Sequence, residues 1–129
     1  LGLKDKVIFI GQKTTEELKN YYKNSQIYIQ ASGYEGLPHV LLEAINYNLT
    51  LISTAVGGSN EVIENGKNGW LIDLVDGVKP DPTNLSNIII DVINSKESRV
   101  KKMSNAKNLL NTKFDEDINL LKYLKVFEQ

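Results

Sequence analysis

Three times in the first half of the chain, a short apolar run rich in β-branched and aromatic residues gives way to a glycine-bearing loop and then to a helix-forming stretch. Val7–Ile10 precedes Gly11 and Thr14–Tyr22, Ile27–Gln30 precedes Gly36 and Pro38–Tyr47, and Thr50–Ser53 precedes Gly57-Gly58 and a short helix near Ser59. A further strand, Trp70–Ile72, follows the turn residues Asn65-Gly66-Lys67-Asn68-Gly69. Val7–Ile10 is continuously apolar, the pattern of a strand covered on both faces, and strand–helix alternation favours parallel pairing with right-handed crossovers. The predicted fold class is therefore α/β: a Rossmann-like, three-layer parallel sheet with helices on both faces.

The helix ends carry their own signals. Thr14 can cap a helix whose first turn holds Glu16 and Glu17, and Leu18, Tyr21 and Tyr22 share a packed stripe. Pro38 suits a first helical turn, where its missing N–H has no partner to lose. Asn48, after Asn46-Tyr47, can adopt the left-handed conformation that ends a helix, and Ser59 can cap the short helix after Gly57-Gly58. Asp73–Pro82 reads as a polar connection, and Trp70 as a core residue. Asn84–Asn94, Arg99–Leu110 and Asp117–Phe127 read as three helices, the first with Leu85, Ile88, Ile89 and Val92 on one face. The whole chain, 1–129, is expected to be one domain in which 83–129 is a mainly helical tail.

Composition removes several function classes. A net charge of -1 over 129 residues, without a basic cluster, argues against a nucleic-acid partner. Zero cysteines exclude disulfides and thiolate chemistry and fit a cytoplasmic protein. His39 is the single histidine, so a metal site would need carboxylates alone to complete it, and none is expected. No apolar run approaches the roughly 20 residues that span a bilayer. The start Leu1-Gly2-Leu3-Lys4 resembles neither a signal peptide nor an initiating methionine, and reads as that of an excised fragment.

The candidate site is Tyr34-Glu35-Gly36-Leu37-Pro38-His39-Val40-Leu41-Leu42-Glu43. Glu35 and Gly36 fall in the loop entering a helix at the carboxyl end of a strand, where unpaired N–H groups and the positive dipole end hold phosphate. Gly36 lets backbone approach a ligand. Glu43 lies about 7.5 Å further along that helix, in reach of a ribose diol, with Glu35 on the far side of the phosphates. The helix dipole favours a neutral His39 imidazole or its backbone N–H as a phosphate contact. Gly57-Gly58 forms a second loop that can face the ligand or simply make a tight turn. Gly11-Gln12 can bind a base or simply connect two elements. Two glutamates eight residues apart also arise by chance on a solvated surface; the surrounding strand and helix start set this pair apart. Asp115-Glu116-Asp117 mimics a metal-binding D-x-D string but precedes a helix, and reads as a capped helix start.

The string E-G-L-P-H-V-L-L-E resembles the E-x7-E motif of the retaining, nucleotide-sugar-dependent glycosyltransferases of group 1 (family 4). Val7-Ile8-Phe9-Ile10-Gly11, Thr15-Glu16-Glu17-Leu18 with Tyr21-Tyr22, Val56-Gly57-Gly58-Ser59-Asn60-Glu61 and Asn65-Gly66-Lys67-Asn68-Gly69-Trp70 are similar to that family in the same order. The resemblance covers about Val7 to Asp76. It implies one half of a GT-B fold, the C-terminal domain that binds the donor, with an N-terminal acceptor domain and a first strand outside this chain. It implies a hexosyltransferase-type enzyme (EC 2.4) that takes a UDP-sugar or GDP-sugar and needs no cofactor or metal. Glu35 would be the catalytic-face residue, while Gly36, Leu37, Pro38, His39, Val40, Glu43, Gly11, Gln12, Gly57 and Gly58 would contact donor and nucleotide. A glycan or lipid-linked acceptor would bind the other domain, in capsule, lipopolysaccharide or other envelope polysaccharide synthesis. The expected location is cytoplasmic, with peripheral association at the inner face of the plasma membrane, and an apolar stripe in the terminal helix as a route to dimerisation. The family's arginine and lysine for the diphosphate would lie upstream of this chain, so the fragment alone is expected to be inactive and to bind nucleotide weakly. GT-B nucleotide-sugar epimerases and phosphorylases, and a non-catalytic Rossmann-like interaction module, are the alternatives.

Overall fold

The computed structural model describes residues 2–36 and 38–115. Leu37, the helix expected over Asp117–Phe127 and most of the Asp115-Glu116-Asp117 string lie outside them. The first helix, α1 (Thr15–Lys23), begins as its sequence demands. The Thr14 hydroxyl accepts from the Glu17 N–H while the Glu17 carboxylate accepts from the Thr14 N–H, a reciprocal capping box. Strand β1 (Ile27–Gln30) leads through the candidate loop into α2 (His39–Asn46), followed by β2 (Thr50–Thr54), the short α3 (Ser59–Val62) and β3 (Trp70–Ile72). The strands form one parallel sheet in the order β1-β2-β3, with Gln30 opposite Ser53 and Thr54 opposite Ile72. All three carboxyl ends therefore open on the same side.

Side-chain alternation across this sheet builds two cores. Leu51, with Tyr28 and Leu71 beside it, faces Leu41, Ala44 and Ile45 of α2 and Ala106 of the helix α5 (Lys96–Lys113). Ile52 and Ile72, with Ile27 and Trp70, face Leu85, Ile88, Ile89 and Val92 of α4 (Pro82–Asn94). Helices thus cover both faces of a parallel sheet, and β2 is buried along its whole length. The apolar face read in Asn84–Asn94 is the one that packs. Helix α2 is closed by Asn48, two residues past its end, whose φ of 58° turns the chain so that the Asn48 and Leu49 N–H groups bond the Ile45 and Ala44 carbonyls.

Five expectations need correction. Val7–Ile10 is not a strand: Ile8 and Phe9 are 81% and 95% exposed, and among the described residues no strand pairs with the run. An apolar stretch becomes a strand only where a neighbour takes its N–H and C=O groups. The connection Asp73–Pro82 contains an antiparallel hairpin, β4 (Leu74–Val75) with β5 (Lys79–Pro80). Its turn places both Asp76 and Gly77 at positive φ, the preference behind the Asp-Gly hairpin signal. Pro38 stands at the N-cap of α2, one residue before the first turn. Ser59 does not cap α3; Gly58 occupies that position, and the Ser59 side chain is wholly buried with its Oγ 3.2 Å from Ser53 Oγ. Tyr21 also differs from its stripe partner Tyr22, which stacks on Tyr47 and packs against the core, while Tyr21 is largely exposed.

Leu51 is 1% exposed at the centre of β2, so Leu51→Ala should lower unfolding free energy by about 2–5 kcal/mol in urea titrations, against roughly 0.5–1.5 kcal/mol for Ile52→Val.

Candidate functional site

The loops after β1 and β2 meet at the carboxyl ends of their strands. The Gly58 N–H donates to the Gly36 carbonyl at 3.0 Å. Gly57, at φ 43°, lies so close to Glu35 that a Cβ there would overlap the Glu35 carbonyl oxygen. This is a position where glycine is required on both counts, by sterics and by backbone angle. Gly36 is different: a Cβ on it would meet nothing within 4 Å among the described residues beyond its chain neighbours. Gly33 faces the hairpin, where its Cβ would come to 2.9 Å from the Val78 carbonyl oxygen. The Glu35 loop is therefore held between the Gly57-Gly58 loop and the β4–β5 hairpin.

The Glu35 side chain is half-buried and fixed from below. Ser32 Oγ donates to Glu35 Oε1 at 2.6 Å, and Gln30 Nε2 lies 3.5 Å from Ser32 Oγ. The Ser32 carbonyl in turn accepts from Thr54 Oγ1 at 2.6 Å, which ties the loop to β2. The Ser32 hydroxyl, and then the Gln30 amide, hold the Glu35 carboxyl below its ordinary range, with burial opposing them. The folded chain thus binds its proton less readily than the unfolded chain does. Any stability this contributes is present above the unfolded carboxylate's titration and is lost as pH falls through the folded one.

Glu43 is exposed on the next turn of α2 and accepts from the Tyr22 hydroxyl of α1 at 3.3 Å. Burial, followed by Tyr28 and the Glu43 charge, pushes the Tyr22 phenol up to about 12. The Tyr28 phenol is also raised, by burial first and then by Glu35 and Glu43 together. One half-buried ring on β1 therefore lies within electrostatic reach of both carboxylates of the motif. Pro38 is buried, while His39 and Val40 open α2 on its exposed side, and among the described residues no side chain caps that helix end. Gly11 (φ 64°) and Gln12 are exposed, and among the described residues no hydrogen bond joins them to the Glu35 or Gly57 loops. Among the described residues, no group of three metal-ligating side chains occurs. A cavity of about 780 Å³ opens instead between the Gly66-Lys67 turn and the start of α5, lined by Lys67, Lys96, Lys101, Lys102 and Asn105. It borders the amino end of β3, away from the motif. Helix α5 carries six cationic side chains and one anionic one, Glu97.

The sequence reading missed Gln30, Ser32 and Thr54. Their position at strand ends was visible, but their mutual contacts depend on how the loop folds back.

A parallel sheet with helices on both faces, whose strand ends carry two touching glycine loops beside an open helix start, defines a Rossmann-like domain. The chain belongs to the glycosyl transferases of group 1, whose family model matches residues 1–109. It is 33% identical over 81 residues to the Vi polysaccharide biosynthesis protein VipC/TviE of Salmonella typhi, covering 63% of this chain and 14% of that protein. The crystal structure of the C-terminal domain of a group 1 glycosyl transferase family protein (LpcC) from Francisella tularensis superposes with a TM-score of 0.75 at 27% identity, covering 89% of this chain and 57% of that one. The Anabaena protein Alr3699/HepE, solved in complex with UDP-glucose, shares the fold with a TM-score of 0.81 at 24% identity, over 100% of this chain and 34% of its own. The chain spans well under two thirds of the length of the curated relatives it matches.

Gly57→Ala should destabilise the domain by about 1–3 kcal/mol through overlap with the Glu35 carbonyl, and Gly36→Ala by less than about 1 kcal/mol, as read from denaturant midpoints.

Proposed function

We propose that this chain is the donor-binding half of a retaining glycosyltransferase that moves a sugar from a nucleotide diphosphate sugar to an acceptor hydroxyl. The observation that carries the reading is the meeting of the two glycine loops, Gly58 N–H on the Gly36 carbonyl, at the carboxyl ends of β1 and β2. Ligands of open α/β sheets bind in that position. There the N–H groups opening α2 face the leaving diphosphate and stabilise the charge it develops. Glu35 holds hydroxyls of the donor sugar near the reacting face. Glu43 exchanges its bond to the Tyr22 hydroxyl for the ribose diol. The donor is a UDP-sugar or GDP-sugar, and no metal takes part. A partner domain supplies the acceptor site and the cationic residues for the diphosphate, so this chain alone binds nucleotide weakly and transfers nothing. The polysaccharide role of the Vi relative supports a place in envelope polysaccharide synthesis, at the cytoplasmic face of the membrane.

Titrating the isotope-labelled chain with UDP, GDP and ADP tests this reading. Amide shifts should centre on Gly36–Glu43 and Gly57–Ser59, be strongest for one base, and weaken in Glu43→Ala. Shifts scattered over the surface, or identical in the variant, would reject the site.

A further inference from the structure

Three buried or half-buried polar side chains at the sheet's carboxyl edge have no part in the function above. Gln30 is 8% exposed at the end of β1, with its backbone in register with Ser53. Ser32 follows two residues later and is half-buried, and Thr54 is 1% exposed at the end of β2. We propose that Gln30 and Ser32 are positioning residues for Glu35, a hydrogen-bonded relay that fixes one carboxylate oxygen and turns the other towards the donor sugar. The assignment of the sugar rests on the function proposed above; the relay itself does not.

The direction of the relay follows from donor and acceptor counts. An ionised Glu35 can only accept, so the Ser32 hydroxyl spends its single proton on Oε1 at 2.6 Å. The Ser32 oxygen then has lone pairs to fill, and the donor facing it is Gln30 Nε2. That contact is long, 3.5 Å, so Ser32 dominates and Gln30 steers. The Ser32 backbone cannot drift, because Thr54 Oγ1 holds its carbonyl at 2.6 Å. Among the described residues, Gln30 Oε1 is buried without a hydrogen-bond partner. An apolar side chain of similar size would avoid leaving that acceptor unmet, so the amide's presence calls for a reason other than packing. Orienting Ser32 supplies one.

Glu35 lies beside the proposed sugar subsite, whereas Glu43 and the open end of α2 lie beside the nucleotide. Loss of the relay should therefore be felt by a nucleotide-sugar and not by the nucleotide alone. The variants Ser32→Ala, Ser32→Thr and Gln30→Leu of this chain separate the cases, with amide spectra showing that each stays folded. In the ligand-free chain, the Glu35 side-chain carboxyl resonance should titrate higher in Ser32→Ala, towards the ordinary carboxylate range. It should return in Ser32→Thr and move less in Gln30→Leu. UDP-glucose should bind Ser32→Ala roughly tenfold more weakly than it binds the parent, with UDP unchanged. A folded Ser32→Ala whose Glu35 titration matches the parent would overturn the relay. Equal weakening of UDP and UDP-glucose would overturn the positioning role in favour of general support of the loop. If the parent binds neither these two ligands nor GDP and a GDP-sugar, the donor-site reading fails, and the ligand-free titration still decides the relay.

Discussion

The parallel pairing of β1 with β2 is the constraint on which the rest depends. Its register sets Gln30 beside Ser53, so the chain leaves both strands at the same height and its two loops must run side by side. A slip of one residue would turn Leu51 and Ile52 to the wrong cores and separate the loops. Burial of β2 on both faces holds that register, with Leu51 fixed by α2 and α5 and Ile52 by α4. The site geometry is in this sense a by-product of core packing several residues away.

What the loops do with that placement is to remove side chains where backbones cross and add polar ones where a carboxylate must be held. Gly57 and Gly33 give up Cβ atoms to the carbonyls of Glu35 and Val78. Ser32, Thr54 and Gln30 fill the space beneath with hydrogen-bonding groups. A loop fastened on both flanks loses little further freedom when a ligand arrives, which is the physical content of a preorganised site.

Much of this was legible in the chain. Ile27–Gln30 and Trp70–Ile72 were read to the residue, because continuous apolar runs between turn signals leave few alternatives. The apolar face of α4 and the left-handed Asn48 followed from spacing and from the chemistry of asparagine. Val7–Ile10 shows the limit of that reasoning, since its composition is that of a strand and among the described residues no strand pairs with it. The β4–β5 hairpin was signalled by Asp76-Gly77 and overlooked because strands of two residues carry almost no pattern. In the site, the motif located the Glu35 loop, but the bond from Tyr22 to Glu43 joins residues 21 apart and the Ser32–Glu35 bond depends on a turn. Local sequence encodes neither distance.

The distribution of charge gives the molecule an electrical shape that its average hides. Helix α5 gathers six cationic side chains, which leaves nine elsewhere to face fifteen of the chain's sixteen carboxylates. A sequence pI near 5.9 describes the total, yet a charged surface meets one face at a time. At low salt, the cationic side chains gathered on this helix should offer a cation exchanger a local patch to hold even above the isoelectric point. Retention on that resin, fading as salt screens beyond about 10 Å, is the chromatographic signature of one helix having taken more than its share of lysine.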